Sequence, residues 1–135
     1  MNKRFRQSLL GISLTGLMAI PGFAIAESMQ YQCTYTQASY TAPFMKSPSI
    51  RNCPEGKCSY HVAVSGSVAS INKVAGFTVE QNDTMLKLSR TAKDPVMGGM
   101  DTTVFTLNKG DLSFESVKTT TPSVVLTTTG QCTAL

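Results

Sequence analysis

From residue 29 onward the chain alternates apolar and polar residues in short runs. Tyr31, Cys33 and Tyr35 oppose Gln30, Gln32 and Thr34. Tyr60, Val62 and Val64 oppose His61, Ala63 and Ser65, and Phe77 and Val79 oppose Thr78 and Glu80. A period of two is that of a strand buried on one face. It predicts strands over 29–36, 59–68, 74–81, 85–90, 102–107, 112–118 and 123–132. Leu86 and Leu88, and Phe114 with Ser116, mark inward faces. Asn82-Asp83 and Asn108-Lys109-Gly110-Asp111 read as hairpin turns, Gly66 as a bulge or strand end, and Thr119-Thr120-Thr121-Pro122 as a break. No useful stretch has apolar residues at helical spacing. About seven short strands with turn signals between them predict a single all-β antiparallel domain, a β-sandwich or small meander barrel.

Residues 37–52 lack a clear period. Pro43 and Pro48 interrupt them, and Tyr40, Phe44, Met45 and Ile50 are scattered among polar neighbours. A connection this long is unusual in a compact domain and is often functional. Aromatic residues there make Tyr40, Phe44, Met45 and Ile50 the candidate partner-binding patch. The competing reading is that Tyr40 and Phe44 cover a sheet edge.

The first residues change what composition means. Met1-Asn2-Lys3-Arg4-Phe5-Arg6 is followed by an apolar run from Leu9 to Ile20, a Pro21-Gly22 break and Ala24-Ile25-Ala26. That order is a charged region, an apolar region and a small-residue cleavage site, so 1–26 reads as a cleaved signal peptide and 27–135 as the working domain. The apolar run falls short of the roughly 20 residues that span a bilayer, so stable membrane insertion after cleavage is not expected. The full chain has 12 basic and 8 acidic residues and a net charge of +4. Lys3, Arg4 and Arg6 account for three of the basic ones, which leaves 9 against 8, or +1. A balance so near neutral gives no sign of nucleic-acid binding.

Export also decides how the 4 cysteines are read. In an oxidising compartment they imply two disulfides. Three pairings are open, of which Cys53–Cys58 and Cys33–Cys132 are favoured. Cys53-Pro54-Glu55-Gly56-Lys57-Cys58 carries proline and glycine where a tight loop needs them. A redox pair would have two intervening residues, and a zinc site would have to recruit Cys33, Cys132 or His61. By loop entropy the long cross-link contributes about 4.7 kcal/mol and the short one about 2 kcal/mol.

Candidate chemistry is sparse. His61 is the single histidine and sits on the polar face of its strand. No G-x-S-x-G is present, and Glu55, Glu80, Asp83, Asp94, Asp101, Asp111 and Glu115 fall mostly in turns. No catalytic residues and no cofactor are therefore assigned. Met97 and Met100, on a loop with Gly98 and Gly99, are the soft ligands a periplasmic copper-binding protein would use, with Met45 or His61 completing the set. The alternative is that they fill gaps at one end of the core. Asn82-Asp83-Thr84 matches a glycosylation sequon but reads as turn chemistry.

A leader, Tyr31-Gln32-Cys33 near the start of the mature chain and a late cysteine together resemble small periplasmic β-barrel inhibitors of lysozyme. The resemblance implies a barrel and inhibition of a cell-wall hydrolase; it carries no residue roles. The sequence thus predicts a small non-enzymatic binding or interaction protein, periplasmic or secreted, with an envelope protein as its partner. An inhibitor of a cell-wall hydrolase and a copper carrier are the alternatives.

Overall fold

A computed structural model describes residues 28–54, 58–95, 98–120 and 123–135. Nine strands lie among them: β1 Ser28–Thr41, β2 Ser49–Asn52, β3 Ser59–Ser65, β4 Val68–Ile71, β5 Val74–Gln81, β6 Met85–Lys93, β7 Met100–Asn108, β8 Ser113–Thr120 and β9 Val124–Ala134. Each of β3 to β8 pairs antiparallel with its successor, β3 pairs with β1, and β9 returns to β1. Eight strands thereby close a barrel. β2 is a ninth strand, hydrogen-bonded to the second half of β1 and outside the ring.

The barrel resolves the sandwich-or-barrel alternative, and nine strands replace the expected seven. Two elements account for the excess. Val68–Ile71 is a separate strand, because Gly66 takes a positive φ of 63° and turns the chain between β3 and β4. The interval 37–52 is largely a hairpin: β1 runs on to Thr41, and β2 folds back on it with Ser39 opposite Ile50 and Tyr40 opposite Ser49. The connection expected over 91–101 is also shorter, since β6 reaches Lys93 and β7 begins at Met100.

The alternating residues line the interior. Cys33, Val62, Val64, Leu86, Leu88, Phe105 and Leu107 are fully or almost fully buried. Each large apolar side chain removed from water contributes about 1.5–3 kcal/mol. Tyr60 packs edge-on against Phe105 and Phe114, whose own rings stack at 5.3 Å. Cys33–Cys132 joins directly opposed residues of the first and last barrel strands, and Cys53–Cys58 closes the short loop.

Close packing selects residues at the seam. Between the Thr128–Ala38 and Gly130–Tyr35 pairs, β1 advances three residues while β9 advances two, which is a β-bulge. A Cβ on Gly130 would overlap the Thr34 carbonyl and press on the Phe114 ring. A second bulge lies between β4 and β5, where Gly76 adopts φ 94° and Arg90 Nε donates to the freed Ala75 carbonyl at 2.9 Å.

The hairpin turns follow their side-chain chemistry. Asn82 Oδ1 accepts from the amides of Thr84 and Met85, both at 2.9 Å, so the sequon is a turn. Asp111 Oδ1 accepts from the Ser113 hydroxyl at 2.7 Å and the Ser113 amide at 2.9 Å, and these bonds hold its carboxyl below the usual range.

Candidate functional site

Turns alternate between the two ends of the barrel. One end carries the β3–β4, β5–β6 and β7–β8 turns. The other carries the β1–β2 and β2–β3 connections and the β4–β5, β6–β7 and β8–β9 turns. The second end holds the features with functional promise.

The tip of the β1–β2 hairpin projects from this end, while its β1 arm stays paired with β9 as far as Thr41 and Val125. Ala42-Pro43-Phe44-Met45 is a β-turn, closed by the Met45 amide donating to the Ala42 carbonyl at 2.9 Å. Proline pre-sets φ at the second position, so Phe44 is delivered to the tip. There it is 86% exposed, while Ile50 is 56% exposed, Tyr40 is 38% exposed and Met45 is half-buried. The four candidate contact residues are therefore brought together on one hairpin. They do not form one flat face: Tyr40 pairs with Ser49 and Ile50 with Ser39, which puts Tyr40 and Ile50 on opposite sides of the ribbon. Other exposed apolar residues, among them Val68, Val74 and Met85, are spread singly over separate strands.

The base of the hairpin is pinned. The Cys53 amide donates to the Thr36 carbonyl at 2.9 Å and the Tyr35 amide to the Cys58 carbonyl at 3.1 Å. The Cys53–Cys58 disulfide joins the end of β2 to the start of β3. Beside it lies a cleft of about 250 Å³ lined by Gln32, Tyr35, Thr36, Cys53, Pro54 and Ser59 among others. Tyr35 also borders a more open cleft of about 630 Å³ on the β8–β9 side. Its ring stacks on Tyr60 at 5.1 Å. Burial, then the neighbouring Tyr60 phenol, push the Tyr35 hydroxyl above its ordinary titration range. Tyr60 in turn shares a 3.1 Å hydrogen bond with the Thr128 hydroxyl.

Inside the same end, the barrel lining changes from apolar to polar. Beyond Leu88 on β6 come Arg90 and Ala92, and beyond Phe105 on β7 come Thr103 and Asp101. Lys118 lies beyond the buried Ser116 on β8, and its Nζ is 3.8 Å from Asp101 Oδ2. Asp101 Oδ1 is buried without a hydrogen-bond partner.

The remaining candidates separate. His61 Nε2 lies 3.0 Å from Gln30 Oε1, a hydrogen bond in which the imidazole N–H donates, and its backbone amide donates to Asn72 Oδ1 at 2.8 Å. Met100 is exposed at the start of β7, while Met97 lies outside the described residues. Among the described residues no three His, Cys, Asp or Glu side chains are grouped as metal ligands. Sequence reasoning missed the polar barrel end, because Arg90, Asp101 and Lys118 come from three separate strands. The only available signal was that each continues an inward-facing alternation.

Comparison of the chain with protein-family models, with curated proteins and with solved structures found no match.

Proposed function

We propose that the protein is a non-enzymatic binding domain that engages another component of the cell envelope through the β1–β2 hairpin. The observation that carries this reading is the concentration of Tyr40, Phe44 and Ile50 on one projecting ribbon, with Phe44 almost fully in solvent at its tip. Clustered exposed apolar side chains mark contact surfaces, whereas single ones do not. The clip at Cys53–Cys58 supports the reading, because a contact element held rigid at its base loses less freedom on binding. Two disulfides are compatible with an oxidising extracellular compartment, and the leader at 1–26 directs the reading towards the periplasm or the exterior.

Retention on washed cell envelopes tests this function. The wild-type protein is expected to sediment with the envelopes, and the Phe44→Ser, Ile50→Ser double variant to stay in solution. Equal retention of the two would remove the hairpin from the function. An inhibitor of a cell-wall hydrolase is a special case of the same surface, in which the ribbon fills an enzyme cleft. It requires, in addition, that lytic activity of the envelope extract falls in proportion to the wild-type protein added.

A further inference from the structure

The near-neutral charge of residues 27–135 conceals a separation that only the topology reveals. Among the described residues, Lys46, Arg51, Lys73, Arg90, Lys93 and Lys118 stand at the hairpin end, against Asp94 and Asp101. At the opposite end the balance is reversed among the described residues: Glu80, Asp83, Asp111 and Glu115 against Lys87 and Lys109. Lys87 is itself 3.9 Å from Glu80. The barrel is thus a dipole along its axis, positive where the apolar ribbon projects.

We propose that this end docks on an anionic phospholipid surface, with Phe44 and Ile50 entering the headgroup layer and the surrounding cations facing lipid phosphates. The inference rests on the hairpin being the contact element and names what it contacts. Three observations favour a lipid surface over an acidic protein. Phe44 at the tip and Ile50 on the outward side of the hairpin are its most exposed apolar residues and stand beside Lys46 and Arg51, which suits shallow entry into a headgroup layer. Lys46, Arg51, Lys73 and Lys93 are all exposed and come from four different connections or strands around the barrel end, so a planar partner meets them together. The acidic opposite end is repelled by the same surface, which fixes the orientation. Aromatic residues beside lysine and arginine are the residues that settle at a membrane interface. The proposed contact is adsorption at the surface by the hairpin end.

Co-sedimentation with lipid vesicles tests it, using the protein purified as the cell processes it. Vesicles containing roughly one part in three phosphatidylglycerol are compared with phosphatidylcholine alone. A cation near an anionic surface contributes about a fivefold factor in partitioning. Wild type is expected to bind the anionic vesicles, to be released by salt, and to ignore the neutral ones. Lys46→Glu with Arg51→Glu should weaken binding by at least about tenfold, and Phe44→Ser by about tenfold. Lys87→Glu with Lys109→Glu, the same charge change at the other end, should leave binding within about twofold because those side chains face away from the lipid. Matching melting curves certify that the variants are folded. Absence of vesicle binding, equal binding to neutral vesicles, or equal weakening by the two charge pairs would overturn the proposal. Hairpin-dependent retention on envelopes without vesicle binding would overturn the lipid inference alone and point to an acidic protein, leaving the binding reading intact.

Discussion

Cys33 and Cys132 stand directly opposite each other on β1 and β9, with their Cα atoms 3.9 Å apart and a disulfide between them. They are separated by 99 positions in sequence, against 5 for Cys53 and Cys58. Entropy of the unfolded chain therefore sets the two bonds apart. Replacing Cys33 and Cys132 by alanine is expected to lower stability by about 4–5 kcal/mol, and replacing Cys53 and Cys58 by about 2 kcal/mol. Urea midpoints with unchanged slopes check both figures. Equal losses would mean that the short clip also supports packing.

Gly130 has no room for a side chain, since a Cβ would meet the Thr34 backbone and the Phe114 ring. Gly130→Ala is expected to cost about 3 kcal/mol or more, because backbone on both sides of the seam has to move. Gly98 offers the contrast. Its φ is 78° but nothing lies within 4 Å of the added carbon, so Gly98→Ala should cost only about 1 kcal/mol. Thermal melts of the two variants separate overlap from backbone strain.

The β4–β5 turn holds Asn72 and Lys73 at φ 51° and 69°. Both values belong to the left-handed region, where asparagine is tolerated and lysine is strained. Lys73→Gly is expected to raise stability by about 0.5–1 kcal/mol, the relief of strain exceeding the added freedom of the unfolded chain. A lower melting temperature would show that the lysine side chain makes a compensating contact. The same substitution should weaken vesicle binding several-fold, so stability and docking move in opposite directions.

Tyr35 predicts alkaline sensitivity. Its phenol titrates above the ordinary value of 10.0, through burial first and Tyr60 second. A raised pKa means that the folded state holds the proton more tightly. The associated stability is complete below about pH 10 and is lost as the pH rises through the folded-state value. The ultraviolet absorbance of phenolate should show one tyrosine ionising later than the free amino acid, and Tyr35→Phe should remove that step. If the late step survives in Tyr35→Phe, it belongs to another tyrosine.

The alternation that exposes the strands fails where the sheet itself breaks period. Tyr31, Cys33 and Tyr35 point inward at odd positions, but after the bulge Ala38 and Tyr40 take the inward register at even ones. One extra residue reverses the phase, and Ala38 and Tyr40 alone, with Pro43 close behind, make too short a run to announce the new one. Hence 37–41 reads as irregular chain although it is strand. At 65–68 the obstacle differs: a two-residue turn of small polar residues merges two short strands into one apparent run. The separate roles of Arg90, Asp101 and Lys118 were legible only as inward positions, and the charge separation not at all, because acidic and basic residues are sorted to opposite ends by which turns face which way. Tyr40, Phe44, Met45 and Ile50 stood out because apolar side chains in a proline-interrupted stretch have no strand partner to predict.

The seam between β1 and β9 also orders events during synthesis. Strands β3 to β8 can pair with their immediate successors as they emerge, but β1 has to wait for residues 124–134 before its second edge is covered. A ribosome that stops early, or a protease that trims the tail, leaves an open sheet with two bare edges and an unpaired Cys33 thiol. Bare edges of that kind pair with other chains, so the closure that stabilises the finished barrel also withdraws its aggregation-prone edges.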